Sequence, residues 1–430
     1  MATAAVLLTA LPAHAQRTLS LDETLQLAHR NNRDLAAARE NMGLVQATLE
    51  TVRAQLLPTV AAQGKFTYND PSAQLSFPAG FSLPGLPATI VIIKKDELDF
   101  AANATIPLVV PGAYPAYQSA LAQRRATNAN VAVTDAQVLF SAAAGFYAAA
   151  GGDELVAARK HAIEVAAETV KNAKARLDAG VVNRVEVTRA ELAYNQTVQT
   201  YESAEDTRAQ AYRALATLIQ LRDPFVVQDM TRAVENRSVA DWQRDALSLR
   251  PETRAYDLNV EAQRKSALSG ALRWLPTLSA FGRFTAGNYI GFSGKEWAFA
   301  AGVQADWAIY DGGLRDAARH QAEAQQRQYV LQLKQLHDTI NDDIDRAHNE
   351  LKTKRDALHT AEQAVVLSKE TLNLVRAQHD AGTATQLDLL QAQDALFTAE
   401  ANVAQARFDL SLGQLQLERN AGTFPPKDLR

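Results

Sequence analysis

Two stretches of this chain run for about 67 residues each with almost nothing to stop a helix. Between Gly112 and Asp178 the only proline is Pro115, and between Gly313 and Asp380 there is none. At 1.5 Å per residue each run predicts a helix of about 100 Å, several times the ordinary globular length. Both runs end on the same punctuation, Asp178-Ala179-Gly180 and Asp380-Ala381-Gly382. Beyond it both resume as apolar–acidic–apolar and reach an alanine: Val185-Glu186-Val187 to Ala190, and Leu387-Asp388-Leu389 to Ala392. Glycine suits the left-handed position that ends a helix, so the chain is expected to build one helical bend twice.

A second pair of landmarks extends the duplication. Leu56–Phe66 (LLPTVAAQGKF) matches Trp274–Phe284 (WLPTLSAFGRF), with Leu-Pro-Thr, alanine, glycine, a basic residue and phenylalanine in step. The extra length of the first half is assigned to the Pro- and Gly-rich loop Asn69–Glu97, whose counterpart Gly287–Glu296 is short. Each half then reads helix, strand, loop, strand, long helix, bend, helix. The expected organisation is a secretory signal over residues 1–15, with Ala13-His14-Ala15 as the cleavage site. A first repeat over 16–221, a linker over 222–240, a second repeat over 241–422 and a tail over 423–430 follow.

Period-two alternation predicts four strands of about ten residues, enough to cross a bilayer when tilted. In Thr59–Asn69, Val60, Ala62, Gly64, Phe66 and Tyr68 oppose Gln63, Lys65 and Thr67. Glu97–Leu108 and Glu296–Tyr310 alternate in the same way. Thr277–Thr285 is less clean, because Phe281 shares a face with Arg283. Tyr68, Trp297, Trp307 and Tyr310 stand near run ends, where membrane-interface aromatics are expected. A water-soluble antiparallel sheet shows the same alternation. No run of about 18 uncharged apolar residues stands beyond the N-terminus, so no transmembrane helix is expected.

The shorter helices are predicted over Leu21–Leu57, Asn183–Leu221, Asp241–Leu275 and Thr383–Ala421. The last carries two seams. Leu389, Ala392, Leu396, Ala399, Val403, Ala406, Leu410, Gly413 and Leu417 recur at alternating three- and four-residue steps, as in a coiled coil. Leu387, Leu390, Asp394, Phe397, Ala401, Ala404 and Phe408 form the other. Two seams on one helix require neighbours on both sides.

Several functions are excluded or disfavoured. The net charge of −4, without a basic cluster, argues against nucleic acid. The absence of cysteine removes disulfides, thiolate metal sites and thiol nucleophiles. No phosphate-binding loop, zinc-protease helix or nucleophile elbow is found. His320, His337, His348 and His359 are too scattered along one helix to pair on a metal. Neither catalysis nor a cofactor is expected.

The duplication, the two Leu-Pro-Thr approaches and the AGVVNRVEV/AGTATQLDL bends together resemble the outer-membrane efflux proteins of the TolC family, over about Leu19 to Gly422. The resemblance implies a mainly α fold with membrane β: a long coiled-coil helical barrel below a twelve-stranded transmembrane β-barrel, to which each protomer of a homotrimer gives four strands. Four strands alone cannot close in lipid. It implies a passive exit duct in the outer membrane, embedded in its lipid, with the tunnel in the periplasm. The duct would serve an inner-membrane pump through a periplasmic adaptor (membrane fusion) protein, in tripartite efflux or type I secretion. Two other readings share the coiled coils: a periplasmic adaptor, which normally carries one hairpin, and an envelope scaffold with a soluble sheet.

The same resemblance assigns roles at the bends. Gly180, Val181, Val182, Gly382 and Thr383 match the adaptor-docking tips. Asp388 matches the first acidic position of the periplasmic gate, and Gln391 stands at the usual second one. Glu186 and His379 match polar positions that join neighbouring hairpins, and a His379–Glu186 contact is expected; the usual arginine is Ala384 here.

Overall fold

The computed structural model describes residues 17–76, 89–228, 237–288 and 295–426. The signal segment, the last half of the tail, the centre of the linker and the centres of the two strand-connecting loops lie outside them. The chain divides into two compact units. Unit 1 comprises Met1–Glu40, Asn128–Arg254 and Lys334–Arg430; unit 2 comprises Asn41–Thr127 and Ala255–Leu333.

The elements follow the predicted order with additions. A short strand β1 (Arg17–Leu19) precedes α1 (Leu21–Asn31) and α2 (Arg33–Ala54). Then come β2 (Thr59–Tyr68), β3 (Ala73–Ser76), β4 (Thr89–Ile93), β5 (Asp96–Val109), α3 (Ala113–Asp178) and α4 (Arg184–Ile219). The second half runs β6 (Phe225–Val227), α5 (Val239–Leu249), α6 (Pro251–Leu272), β7 (Thr277–Gly287), β8 (Trp297–Asp306), α7 (Leu314–Asp380) and α8 (Gln386–Asn420). The long helices α3 and α7 have 66 and 67 residues.

Three expectations are corrected. The first helix of each half is broken, at Asn32 and at Arg250, both in extended backbone. These positions are 218 residues apart, the offset of the Leu-Pro-Thr landmarks (250 against 32; 274 against 56). At Asn32 the side-chain oxygen caps a new helix, accepting from the Asp34 N–H at 2.9 Å. At Arg250 the following Pro251 disfavours helical backbone. The loop Asn69–Glu97 is not wholly irregular, because β3 and β4 pair as a hairpin on the β-branched run Thr89–Ile93. Finally, α3 is apolar enough by length and composition to cross a membrane, with a window of mean hydropathy 1.3. Its Leu139, Ala142, Phe146 and Ala149 are fully buried within unit 1, which accounts for those apolar residues as core.

In unit 1 that core joins Leu19, Leu25, Leu139, Phe146, Leu215, Ile219 and Leu415, each large side chain contributing about 1.5–3 kcal/mol on burial. β1 and β6 pair in parallel over it. The Tyr212 hydroxyl of α4 donates to Asp153 Oδ2 at 2.5 Å and accepts from the Val227 N–H at 3.3 Å, tying β6 to the helices. Burial, then the bond to Asp153, push this phenol up to about 12, so it remains a donor. The close helix approach rests on small residues. A side chain at Gly151 of α3 would meet Phe408 of α8 at 3.1 Å, and one at Gly152 would meet the Arg208 backbone of α4 at 3.2 Å. Thus α3 has α4 and α8 on two sides. α8 itself packs its first seam on α7, through Leu372, Leu389, Ala392 and Leu396 near the bend and Ile340, Ile344 and Leu417 further on.

Unit 2 holds a four-stranded antiparallel sheet in the order β2-β5-β7-β8. Register puts Phe66 beside Leu98, Ala102 beside Phe284, and Phe284 beside Phe299, all on one face. That face is exposed: Val60 is 77 %, Phe299 66 % and Val303 64 % accessible. β2 and β8 have no further partner among the described residues.

Candidate functional site

Both bends close by the same backbone device. At the first, Gly180 has φ +72°, its N–H donates to Leu177 O at 2.9 Å, and the Val181 N–H donates to Arg176 O at 2.9 Å. At the second, Gly382 has φ +78°, its N–H donates to His379 O at 3.0 Å, and the Thr383 N–H donates to Gln378 O at 2.8 Å. This pair of bonds satisfies the last carbonyls of a helix around a left-handed residue. A Cβ at either glycine would meet nothing within 4 Å. Glycine is therefore required by backbone conformation and not by crowding.

The returning helices start differently. Asn183 caps α4, its side-chain oxygen accepting from the Glu186 N–H at 3.3 Å. Thr385 caps α8 in a reciprocal box. Its hydroxyl oxygen accepts from the Asp388 N–H at 3.2 Å, while its own N–H and hydroxyl donate to Asp388 Oδ2 at 2.8 and 2.7 Å. The Thr385 hydroxyl first, and its N–H second, hold the Asp388 carboxyl below the usual range. Asp388 and Gln391 are exposed on α8.

The two bends meet through basic groups. Arg176 Nη1 lies 2.9 Å from His379 Nε2 and 3.2 Å from Nδ1, and His379 is buried. The expected His379–Glu186 pair is not formed within the protomer. Arg176 and His379 both stand in the last turn before a bend, whereas Glu186 is in the first turn of the returning helix. Nothing local in the sequence announces Arg176; its partner is 203 residues away. Val181 is 65 % exposed, Val182 half-buried and Thr383 exposed. Beyond the bends, α3, α4 and α8 enclose a groove of about 340 Å³, to which Gln391 and Asp394 contribute. Among the described residues no group of three acidic or histidine side chains is placed to hold a metal.

Comparison with known proteins places this arrangement. The sequence profile described as outer membrane efflux protein matches residues 24–219 and 242–423. The chain belongs to the outer membrane efflux protein family. The first bend falls within the first matched segment and the second bend within the second. The outer membrane protein TolC of Vibrio cholerae is 28 % identical over 266 residues, covering 60 % of this chain and 58 % of that protein. The chain thus matches less than two thirds of the length of that curated relative. Over a longer span, the probable efflux pump outer membrane protein TtgC of Pseudomonas putida is 21 % identical, covering 93 % and 81 %. Among solved structures, CusC superposes with a TM-score of 0.80 at 16 % identity, covering 94 % of this chain and 92 % of that one. This efflux-protein chain therefore has the fold of a solved protein that forms a transmembrane channel.

Proposed function

We propose that the protein is the outer-membrane exit duct of a tripartite efflux or type I secretion system, conducting substrate passively from an inner-membrane pump and periplasmic adaptor to the outside. The observation that carries the reading is the sheet of unit 2, which leaves an apolar face exposed and two strand edges unpaired. Such a sheet is unsustainable alone in lipid, where every backbone group needs a partner. The strand directions alternate from β2 to β8, so β8 of one copy meets β2 of the next antiparallel, and three copies close twelve strands. Exposed Tyr68, Trp297 and Trp307 suit the interfaces of that barrel.

In this reading the bends are the adaptor-docking tips, with Gly180, Val181 and Val182 on one and Gly382 and Thr383 on the other. Asp388 and Gln391 line the periplasmic gate, while Glu186 and His379 stand where neighbouring copies adjoin. The family membership and the exposed Val181 support the assignment. The test is extraction and electrophoresis. The protein should leave membranes only with detergent and migrate as a trimer until heated. Release by salt or alkali alone, with a monomer on unheated gels, would favour a soluble adaptor or scaffold.

A further inference from the structure

One aromatic side chain stands on the sheet face that carries Gln63, Lys65, Asn103, Arg283 and Gln304 among small residues. Phe281 of β7 lies directly opposite Gly302 of β8. A Cβ on Gly302 would come within 3.1 Å of Phe281 Cε1 and Cζ. The ring is therefore laid over the backbone where β8 has no side chain, and it remains 36 % exposed on its other side. Two residues further along the same face, Arg283 donates from Nε to Asn103 Oδ1 at 3.0 Å. Asn103 is neutral, and Arg283 makes no ion pair among the described residues. On β5 the nearest carboxylate of this face is Asp99, four positions from Asn103, or about 13 Å at the rise of a strand. Asp99 is itself opposite Lys65.

We propose that Phe281 and Arg283 form a specificity site inside the duct for flat aromatic anions. The inference rests on the duct reading: with the apolar face toward lipid, the polar face lines the bore, and three copies present three such pairs at one level. The chemistry has two parts. Phe281 offers a ring face already held by Gly302, against which a second aromatic ring stacks in an offset arrangement. Arg283 is steadied through Nε, which leaves its two terminal nitrogens to donate to a carboxylate or sulfonate. Alternate residues of one strand face are about 7 Å apart, so one molecule bearing a ring and an acid group reaches both. Side chains fixed beforehand lose less freedom on binding, which favours the ligand without closing the passage.

The experiment is single-channel recording of the detergent-purified trimer in planar bilayers, with 2-naphthalenesulfonate and methanesulfonate as probes of equal charge. The aromatic anion should interrupt the current at concentrations lower by about tenfold, the scale of a stacked pair. Phe281→Leu keeps Gly302 covered and removes the ring face, and should abolish that preference. Arg283→Gln keeps a donor for Asn103 and removes the charge; it should weaken block by 2-naphthalenesulfonate but not by neutral 2-naphthol. Equal block by both anions in the unaltered protein overturns the proposal and needs no substitution. So does an unchanged preference in Phe281→Leu trimers of normal conductance, which would leave the ring as a cover for Gly302 only. Failure of the unaltered trimer to conduct at all would instead fault the duct reading.

Discussion

The first and second bends have the same closure and opposite surfaces. Both put glycine at positive φ with two carbonyls of the preceding turn satisfied. Between closure and cap the first has Val181-Val182 and the second Thr383-Ala384. The first cap is a single bond from the Glu186 N–H to Asn183, and the second is a reciprocal Thr385–Asp388 box. The backbone of a left-handed helix end restricts one position and the cap three residues later needs a side-chain oxygen, so the two residues between are free to take on different chemistry. A duplicated chain can thus keep one shape while one tip stays apolar and the other polar.

The largest expected effect comes from attacking what the bends share. Valine at position 180 or 382 meets no neighbour but must hold positive φ, at a cost of about 1–2 kcal/mol or more for a branched residue. Asparagine tolerates that conformation. Gly180→Val and Gly382→Val should each reduce trimer yield and dye efflux from cells, and Gly180→Asn and Gly382→Asn should largely retain them. Equal loss with asparagine and valine would mean that added bulk, such as against an adaptor, is what the tips refuse.

Next in size is the link between the bends. Arg176→Ala removes the hydrogen bond between the bends at buried His379, leaving it only the adjacent Asp380 at 3.7 Å, and should cost about 1–2 kcal/mol. Glu186→Gln, at a side chain that does not reach His379 within the protomer, should change thermal unfolding little. A larger loss with Glu186→Gln would show that the joint between copies outweighs the joint within one. A smaller contrast tests the surfaces: Val181→Ser should lower cross-linking of the bends to a co-expressed adaptor more than Thr383→Ala does. The reverse ranking moves docking to the second bend.

What the sequence made legible here was local. Strand alternation in Thr59–Tyr68 and Trp297–Asp306, the uninterrupted length of α3 and α7, and glycine followed by a capping residue are all patterns within a few turns. The helix breaks were legible too, in Asn31-Asn32 and Arg250-Pro251, but helical periodicity on both sides masked them. β1 and β6 have three residues each, too few to alternate, and they pair across about half the chain. The Arg176–His379 meeting is equally remote in sequence, so the site's chemistry was readable at each bend and unreadable between them. Phe281 is the opposite case. It broke the alternation of its strand, and the break marked a real feature, a ring lying over Gly302.

The finest difference between the bends is their response to acid. Asp388 is held in its charged form by the Thr385 hydroxyl and N–H, so its folded pKa lies below the unfolded value. The sign follows from linkage. A carboxyl with a depressed folded pKa contributes stability above its unfolded pKa, about 3.9, and loses it as pH falls through the folded value. The box at the second bend should therefore be complete at neutral pH and should open in acid. Asn183, the cap of the first bend, is an amide and has no proton to gain in that range. Between about pH 5 and pH 3, amide hydrogen exchange, corrected for its intrinsic pH dependence, should show Gln386–Leu389 losing protection before Arg184–Val187. Thr385→Ala should erase that difference, since protonated and charged Asp388 would then cap alike poorly. Parallel loss at both bends in the unaltered protein would show that acid acts on something the bends share and not on the box.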